Sequence, residues 1–387
     1  MNEFKNAQDI LFSKYPEFRD ENLHSRYLPF SFIQSSLKKV AEEFPVTEIG
    51  KSILGEPVHT ITVGNGKQKI LAWSQMHGNE TTTTKAVFDV LNAFMEFPND
   101  PFLLFLRERL TLKIIPMLNP DGAKAYTREN FNKTDLNRDA LNLQEKESKL
   151  LRKLFDEFKP HYCFNLHDQR TIFSAGEKPK PATLSFLTPS MNSERDILPS
   201  RKISMKIIAS IAKDLSTVLP GQIGRYDDGF NPNCTGDTFQ ALNIPTILFE
   251  AGHYKNDYQR EQTRKFIGFS IFSGLHTIAA NSWKTFSVDD YYSIPENEKL
   301  FYDLILRKAR IDGEIKDVAI QFKEELINEE IDFLPVIKKI AYDIQAYGHQ
   351  EINCEEKKLE PYGKEEVREN VIVYKFILNG NVLAINY

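Results

Sequence analysis

The sequence predicts an α/β protein with helices on both faces of a central sheet, followed by a smaller β-rich domain. Apolar strand-like runs alternate with amphipathic helical segments up to residue 282, which is the pattern of an α/β sheet. Beyond residue 285 the segments become strand-like, and Asn379-Gly380 between two apolar runs is a strong hairpin signal. We therefore expect an N-terminal helical extension (1–44), a main domain (45–284) and a C-terminal β-rich domain (285–387).

Apolar periodicity places the elements of the main domain in order. Strands are expected at residues 47–52, 58–63, 69–73, 112–117, 162–166 and 246–249, and helices at 82–94, 102–109, 144–159, 201–219 and 256–282. Residues 168–199 hold several prolines and no clear period, so we interpret them as a long loop, and residues 221–234 as irregular.

Few elements are expected outside the main domain. An amphipathic helix is expected at residues 35–44, and residues 292–310 are expected to add another helix. Strands are expected at residues 372–378 and 382–385, on either side of the hairpin turn.

Composition excludes several classes of protein. The chain has 387 residues, of which 41% are hydrophobic and 27% charged, so it is long enough for two domains. A net charge of -5 and a pI near 6.0 argue against a nucleic-acid partner. We find no signal-peptide core or membrane-spanning run, and the three cysteines lack the spacing of a zinc site or a disulfide scaffold. We expect a cytoplasmic protein with no membrane partner, and its oligomeric state stays open.

The first candidate functional residues are His77 and Glu80, where an apolar strand stops and a helix begins. They lie three residues apart, so their side chains share a face if a helical turn begins there. The carboxyl end of a strand is where open α/β sheets bind ligands, and zinc accepts imidazole nitrogen and carboxylate oxygen. An isolated His-x-x-Glu is also typical of a solvated loop, so the hypothesis depends on what the rest of the chain supplies.

Two further strands end in a polar residue that a buried core would not select. His167 follows the strand at residues 162–166, and with it the chain offers two histidines and a carboxylate, which leaves a fourth zinc position for water. His161 lies at the opposite end of that strand and cannot serve the same edge. Glu250 leaves the strand at residues 246–249 and is a candidate general base, although capping a helix or pairing with a lysine is the structural alternative.

A polar connection between two of the strands supplies candidate substrate-binding residues. Arg128 and Arg138 carry guanidinium groups, which bind carboxylates in bidentate fashion and stabilise an oxyanion, although a lone surface arginine is more often only solvated. Asn137 adds an amide that can share in carboxylate binding. Asp135 and Asp139 are candidates to orient these side chains.

In combination these residues resemble the zinc carboxypeptidase superfamily. The matching pieces, in the order of the family, are His77-Gly78-Asn79-Glu80, Asn119-Pro120-Asp121-Gly122, Asp135-Leu136-Asn137-Arg138, His167 and Glu250. The resemblance covers residues 45 to 282. It implies a three-layer α/β/α sandwich with a mixed, mostly parallel sheet.

The resemblance also implies a role for each of these residues. One zinc ion would be held by His77, Glu80 and His167. Glu250 would activate the water and Arg128 would polarise the scissile carbonyl. Asn137 and Arg138 would hold the terminal carboxylate of the substrate, and either Tyr226 or Tyr254 could be the tyrosine that the carboxypeptidases place near it.

The substrate class is less determined than the reaction class. Asn79 stands where digestive members of the family carry an arginine, and His77-Gly78-Asn79-Glu80 is more similar to the aspartoacylase and succinylglutamate desuccinylase branch. That branch removes an acyl group from an amino acid and also carries a C-terminal β domain. The segments at residues 119–122 and 250–252 are more similar to the peptidases.

Three functions follow from this reading. The leading prediction is a zinc metallocarboxypeptidase that hydrolyses the C-terminal peptide bond of a peptide. The alternative is a zinc-dependent amidohydrolase acting on an N-acyl amino acid, and in both cases the substrate carries a free carboxylate. A non-catalytic carboxylate-binding module is less favoured, because the candidate ligands and the candidate base are all present.

Overall fold

The computed structural model describes residues 11–363 and 366–385. The strands of its first part are β1 (Val46–Lys51), β2 (Pro57–Val63), β3 (Gln68–Ser74), β4 (Leu110–Ile115), β5 (Tyr162–Asp168), β6 (Ser174–Ala175), β7 (Leu184–Leu187), β8 (Ile223–Arg225) and β9 (Thr246–Ala251). All except β6 join one sheet in the order β1-β2-β4-β3-β5-β9-β7-β8. The four central strands, from β4 to β9, run parallel, and antiparallel pairings flank them on both sides.

Alternating side chains of the central strands enter two separate cores. In β3, Ile70 and Ala72 belong to one buried cluster, whereas Leu71 and Trp73 belong to the other. Because successive residues of a strand point to opposite faces, both faces of this sheet must be covered. The predicted fold class, a mixed sheet between helical layers with a separate β-rich region, is confirmed.

Helices cover the two faces unequally. They are α1 (Tyr15–Phe18), α2 (Phe30–Val40), α3 (Thr82–Glu96), α4 (Pro101–Arg109), α5 (Pro120–Ala125), α6 (Lys146–Phe158), α7 (Pro199–Leu215), α8 (Thr235–Ala241), α9 (Glu261–Ala279) and α10 (Val288–Tyr292), with short 3-10 turns at Leu136–Arg138 and Ser282–Thr285. Helices α3, α7 and α9 pack on the face of Ile70, and α6 and α8 on the face of Leu71. Among residues 11–363 and 366–385, no helix has the length and apolar character that a membrane span requires.

The C-terminal region consists of two small sheets. Its strands are β10 (Asn297–Glu298), β11 (Phe301–Ile311), β12 (Glu314–Ile327), β13 (Glu330–Ala341), β14 (Tyr347–Asn353), β15 (Leu359–Pro361), β16 (Lys375–Leu378) and β17 (Asn381–Ala384). Strands β13-β12-β11-β14 form what we call the C-terminal sheet, β15 to β17 form a three-stranded sheet, and β10 pairs with β6. Asn379 and Gly380 have positive φ angles of 49° and 83°, as the predicted hairpin between β16 and β17 requires.

Three local predictions are wrong. Residues 168–199 are not one long loop, since β7 lies within them and pairs with β8 and β9, and β8 in turn lies within the supposedly irregular residues 221–234. These strands are three and four residues long, too short to show a period of their own. Residues 292–310 do not form one helix, because β11 begins at Phe301 and pairs with both β12 and β14. Tertiary pairing overrides the local pattern there.

Candidate metal centre

The candidate residues collect at one edge of the main sheet. His77 follows β3, His167 lies near the end of β5, and Glu250 lies near the end of β9. These three strands are parallel neighbours, so their carboxyl ends meet, and His167 stands directly opposite Glu250 in the pairing of β5 with β9. The register of the sheet thus brings together residues that are far apart in the sequence.

His77, Glu80 and His167 converge on one small volume, and we call them the ligand cluster. The Nδ1 atoms of the two imidazoles lie 3.1 Å apart. The two carboxylate oxygens of Glu80 each lie 2.8 Å from one of these nitrogens. One ligand atom from each residue lies within 4.8 Å of the others, and the two imidazoles are 1% and 2% exposed. Two nitrogens and a carboxylate directed at one point form a donor set that fits a zinc ion.

Asp135 orients His77. The Nε2 atom of His77 lies 3.0 Å from Oδ1 of Asp135, while Oδ2 accepts a hydrogen bond of 3.0 Å from Nε of Arg128. A carboxylate on Nε2 favours the tautomer with its proton there, which leaves the lone pair on Nδ1 directed at the cluster. Sequence reasoning assigned Asp135 to the arginines, and the structure adds the contact with His77.

Asp168 fixes Glu80 and was not identified from the sequence. Its carboxylate accepts hydrogen bonds from the backbone N–H groups of Thr82 and Thr83 at the start of α3, at 2.9 and 3.3 Å. Its own backbone N–H donates to Oε2 of Glu80 at 3.1 Å. Asp168, which directly follows His167, therefore holds the start of α3, the helix that follows Glu80. An aspartate after a strand-end histidine is a weak signal, because a buried cap of this kind becomes visible only in the fold.

The loop that carries His77 leans against the segment at residues 119–122. The amide of Asn119 accepts from the Gly122 N–H at 2.9 Å and donates to the Met76 carbonyl at 3.1 Å. A Cβ atom on Gly78 would lie 1.9 Å from the Gly122 backbone, so the close approach of the two segments requires glycine at position 78. The role of this motif is therefore to buttress the histidine loop.

Electrostatic interactions shift the pKa values of the cluster in different directions. Burial raises the pKa of Glu80, but His77 and His167 together lower it by more than burial raises it. The pKa of Glu80 therefore lies well below its usual range. Burial lowers the pKa of His77, and the carboxylates of Glu80 and Asp135 reverse this, so it is raised. For His167, burial dominates and the pKa is lowered despite Glu80. Glu80 is thus ionised and able to act as a ligand.

Glu250 has the opposite environment. Burial raises its pKa well above the usual range, and the nearby charges of Glu80 and Asp168 raise it further. Its Oε2 atom is buried and makes no hydrogen bond within the described residues. A half-buried carboxylate with a raised pKa and one buried oxygen without a partner, beside candidate metal ligands, has the properties of a general acid and base.

The structure separates the two candidate tyrosines. Burial raises the pKa of Tyr226, and the charges of Glu250 and Glu80 raise it further, so Tyr226 lies within electrostatic range of the candidate site. Tyr254 instead packs against Phe266 of α9, with ring centroids 5.5 Å apart. Only the placement of β8 brings Tyr226 here, so the sequence offered no signal to choose between them.

The three candidate substrate-binding residues lie at different depths. Arg128 contacts the cluster directly, with Nη1 3.3 Å from Oε1 of Glu80, and its side chain is 42% exposed. Asn137 accepts a hydrogen bond of 3.0 Å from the Thr235 N–H at the start of α8. Arg138 donates to the Asn137 carbonyl at 2.7 Å and lies beside Cys234. The structure thus brings Arg128 into the cluster and leaves Asn137 and Arg138 next to it, in contact with α8.

Comparison with known proteins finds similarity over part of the chain. Residues 33–182 match the zinc carboxypeptidase family. A gamma-D-glutamyl-L-diamino acid endopeptidase 1 of Lysinibacillus sphaericus is 31% identical over 102 residues, covering 24% of this chain and 26% of the relative. Carboxypeptidase 2 of Trichophyton rubrum is 29% identical over 111 residues, covering 28% of this chain and 20% of the relative. The chain therefore matches only about a quarter or less of the length of these curated relatives.

Solved structures show the same fold. A metallo-carboxypeptidase from Burkholderia cenocepacia superposes with a TM-score of 0.53 and 17% identity, covering 66% of this chain and 71% of that chain. The matched family segment carries His77, Glu80, Arg128 and His167, whereas Glu250 lies beyond its end. The resemblance predicted from the sequence is confirmed at the level of the superfamily and of the fold.

Proposed function

We propose, from the premise that residues 33–182 belong to the zinc carboxypeptidase superfamily, that the protein is a zinc-dependent metallocarboxypeptidase. The observation that carries the proposal is the convergence of two imidazole nitrogens and one carboxylate beside Glu250, whose Oε2 atom is buried without a partner within the described residues. The reaction is hydrolysis of the C-terminal peptide bond of a peptide.

The cofactor in this proposal is one zinc ion. His77 and His167 would hold it through their Nδ1 atoms, and Glu80 through its carboxylate. The donor set supports zinc over magnesium or calcium, which prefer oxygen ligands. When bound, zinc lowers the pKa of water and polarises a carbonyl group as a Lewis acid.

Glu250 is the proposed general base. It takes a proton from the attacking water and returns it to the leaving amine, so that one carboxylate serves both half-steps. The buried Oε2 atom, which has no partner within the described residues, supports this role because it is available to accept a proton, and burial raises the pKa of the carboxyl group.

The proposed substrate contacts come from three side chains. Arg128 stabilises the negative charge that develops on the carbonyl oxygen, which its exposure and its position beside Glu80 support. Asn137 and Arg138 bind the terminal carboxylate, the first through its amide and the second through its guanidinium. The substrate is therefore a peptide with a free C-terminal carboxylate.

A substrate comparison tests this function. The zinc-loaded protein is incubated with N-blocked peptides, with the same peptides carrying a C-terminal amide, and with N-acetyl amino acids, and products are identified by mass spectrometry. We expect release of the C-terminal residue from the free-carboxylate peptides only. Cleavage confined to the N-acetyl amino acids would contradict the proposal and establish the amidohydrolase alternative. That alternative draws support from the C-terminal sheet, because the aspartoacylase branch also carries a C-terminal β domain and this sheet lines the cavity beside the ligand cluster.

A further inference from the structure

A cavity of about 400 Å³ lies between the ligand cluster and the C-terminal sheet. We propose that it is a substrate subsite for a carboxylate on the acyl side of the scissile bond, recognised by Lys338 and Arg170. The proposal rests on the proposed function, and it assigns the C-terminal sheet a direct part in specificity. Glu80 and Arg128 line one side of the cavity, and residues of β12 and β13 line the other.

The wall formed by the C-terminal sheet is fixed to the main domain. Glu324 of β12 accepts two hydrogen bonds from Arg26, at 2.9 and 3.0 Å, and one of 2.5 Å from the hydroxyl of Tyr126. Gln321 of the same strand donates to Thr171 at 2.7 Å. Thr171 lies four residues after the ligand His167, so the sheet is anchored next to the cluster. A wall held by a partly buried ion pair and several hydrogen bonds has a defined shape, which recognition of a substrate requires.

The carboxylates that line the cavity are all engaged. Glu80 faces the two imidazoles, Asp168 caps α3, and Glu324 is paired with Arg26. Asp303 accepts hydrogen bonds from Tyr258 and from the backbone N–H of Phe322. Among the described residues, each acidic group that lines the cavity therefore already has a hydrogen-bond or ion-pair partner.

Several of the lining cations are engaged as well. Arg26 pairs with Glu324, Arg128 with Glu80 and Asp135, and Lys323 with Glu325, while Arg260 donates to backbone carbonyls. Arg170 and Lys338 remain: within the described residues neither forms a salt bridge or a hydrogen bond, and both are exposed. The charges of Arg170 and Lys338 are therefore available to a ligand. Two cations beside a cavity attract an anionic group.

Lys338 stands at an irregularity of β13. Ile320 pairs with Ile337 and Ala319 with Lys339, so Lys338 has no residue opposite it and forms a β-bulge. Bulges change the direction of a side chain and are frequent next to functional sites. Ile337 lies in the core of the C-terminal region, whereas Lys338 lines the cavity.

The position of the cavity assigns it to the acyl side. Asn137 and Arg138, the proposed partners of the terminal carboxylate, do not line it, whereas Arg128 and Glu80 do. A substrate anchored by its terminal carboxylate therefore enters the cavity with the part that precedes the scissile bond. The rings of Phe322 and Phe333 also line it and would pack against the methylene groups of an acidic side chain.

The test uses two N-acetylated dipeptides that share their C-terminal residue and differ only in glutamate or glutamine before it. Dissociation constants are measured by calorimetry on the zinc-loaded protein carrying Glu250→Gln, which separates binding from turnover, and kcat/KM is measured on the unmodified protein. Each measurement is repeated with Lys338→Glu and with the matched control Lys339→Glu, which makes the same charge change one residue away, outside the cavity lining.

We expect the glutamate peptide to bind about tenfold more tightly than the glutamine peptide, the size of one charge-assisted contact. Lys338→Glu removes that preference, Lys339→Glu keeps it, and Arg170→Gln reduces it. Equal binding of the two peptides, failure of both to bind, or an equal loss in Lys338→Glu and Lys339→Glu would overturn the subsite. Tighter binding of the glutamate peptide without hydrolysis by the unmodified protein would support the subsite and refute the proposed function. Hydrolysis of both peptides without a preference would support the proposed function and refute the subsite.

Discussion

The molecule contains two buried clusters of charged side chains with different hydrogen bonding. One is the ligand cluster of His77, Glu80 and His167. The other, which we call the Asp89 cluster, pairs Asp89 of α3 with Arg264 of α9, whose side chains are 1% and 0% exposed. Nε and Nη2 of Arg264 donate to the two carboxylate oxygens at 2.7 and 2.6 Å, a bidentate pair.

In the Asp89 cluster, both carboxylate oxygens of Asp89 accept hydrogen bonds from several donors. Asp89 also accepts hydrogen bonds of 2.8 Å from the Tyr15 hydroxyl and from the backbone N–H of Asp20. The remaining N–H groups of Arg264 donate to the carbonyls of Leu23 and Asp20. The cluster therefore attaches the N-terminal segment to α3 and α9. The bidentate geometry and the additional hydrogen bonds offset the desolvation of the buried Asp89–Arg264 ion pair.

At the ligand cluster, by contrast, the hydrogen-bond donors and acceptors are not all paired. Two nitrogens and a carboxylate compete for the same protons, and Nε2 of His167 and Oε2 of Glu250 are buried without a partner within the described residues. Native structures leave few buried polar groups unsatisfied, and those that remain are concentrated at functional sites. Saturated hydrogen bonding suits the Asp89 cluster to a role in stability, whereas the unsatisfied atoms at the ligand cluster support the proposal that it binds a metal ion.

The largest expected effect is on turnover, in Glu250→Gln. The substitution keeps the shape of the side chain and removes its basicity, so kcat should fall by about 10²- to 10⁴-fold, the usual contribution of a general base. Zinc content and the urea midpoint should stay close to those of the unmodified protein. The exposed Glu298→Gln serves as the matched control. A Glu250→Gln protein with undiminished kcat would remove Glu250 from the mechanism.

Asp89→Ala should affect stability and leave the metal site unchanged. It removes the bidentate carboxylate partner of the buried Arg264 and leaves the contact of Nη1 with Glu261 at 3.2 Å as its only ion pair within the described residues, which costs about 3 kcal/mol in the free energy of unfolding. Asp156→Ala, which breaks an exposed pair with Arg152, should cost only about 0.3–0.5 kcal/mol. Urea unfolding of both variants measures the difference. Loss of zinc from folded Asp89→Ala protein would contradict the division between the two clusters.

A pH series compares the buried imidazole of His77 with the half-buried imidazole of His349. His77 faces carboxylates, which raise its pKa, whereas burial lowers the pKa of His349 to about 4. The unfolded chain protonates His349 near its usual pKa of about 6.5, before the folded protein does, so the free energy of unfolding falls as the pH drops from about 6.5 to about 4. His349 alone should contribute about 2 kcal/mol of this loss by about pH 5.

The control for the pH series is His349→Gln. Its unfolding free energy should change less between pH 7 and 5, although the adjacent His253, whose pKa burial also lowers, keeps part of the dependence. An unchanged slope in His349→Gln would show that this imidazole does not titrate as burial predicts.

The smallest expected effect is on zinc affinity, in Asp135→Asn. Asp135 touches His77 and not the proposed ion, and loss of such an orienting carboxylate typically weakens metal binding about 10- to 100-fold. Asp139→Asn is the matched control, because Asp139 hydrogen-bonds to the N–H groups of Gln144 and Glu145 instead. Competition with a chromophoric chelator measures both. Equal weakening in the two variants would indicate a general loss of structure.

Much of the candidate site could be predicted from the sequence, because the change from apolar to polar residues marks where each strand ends. His167 and Glu250 follow apolar runs, and parallel strands bring their carboxyl ends to one edge, so the collection of polar residues there follows from local patterns alone. The same reasoning placed the central strands and the helices that cover them. The residues involved are few, but each is marked by an abrupt change from apolar to polar.

The remainder depends on contacts that no local pattern carries. Strands β7 and β8 are too short to show a period, and without them Tyr226, which directly follows β8, cannot be placed. The subsite requires the C-terminal sheet to dock on the main domain through Glu324 and Gln321, which are more than 150 residues from the ligand His167. Such long-range pairing is decided by burial and by complementary charge in the folded protein.

Metal analysis is the most direct test of the central claim, that the ligand cluster binds zinc. The unmodified protein and His77→Ala are purified without chelator, and zinc per chain is measured by inductively coupled plasma mass spectrometry, with circular dichroism to verify folding. We predict about one zinc per chain in the unmodified protein and almost none in folded His77→Ala. Equal zinc content in the two proteins, or none in either after loading with zinc, would contradict the account.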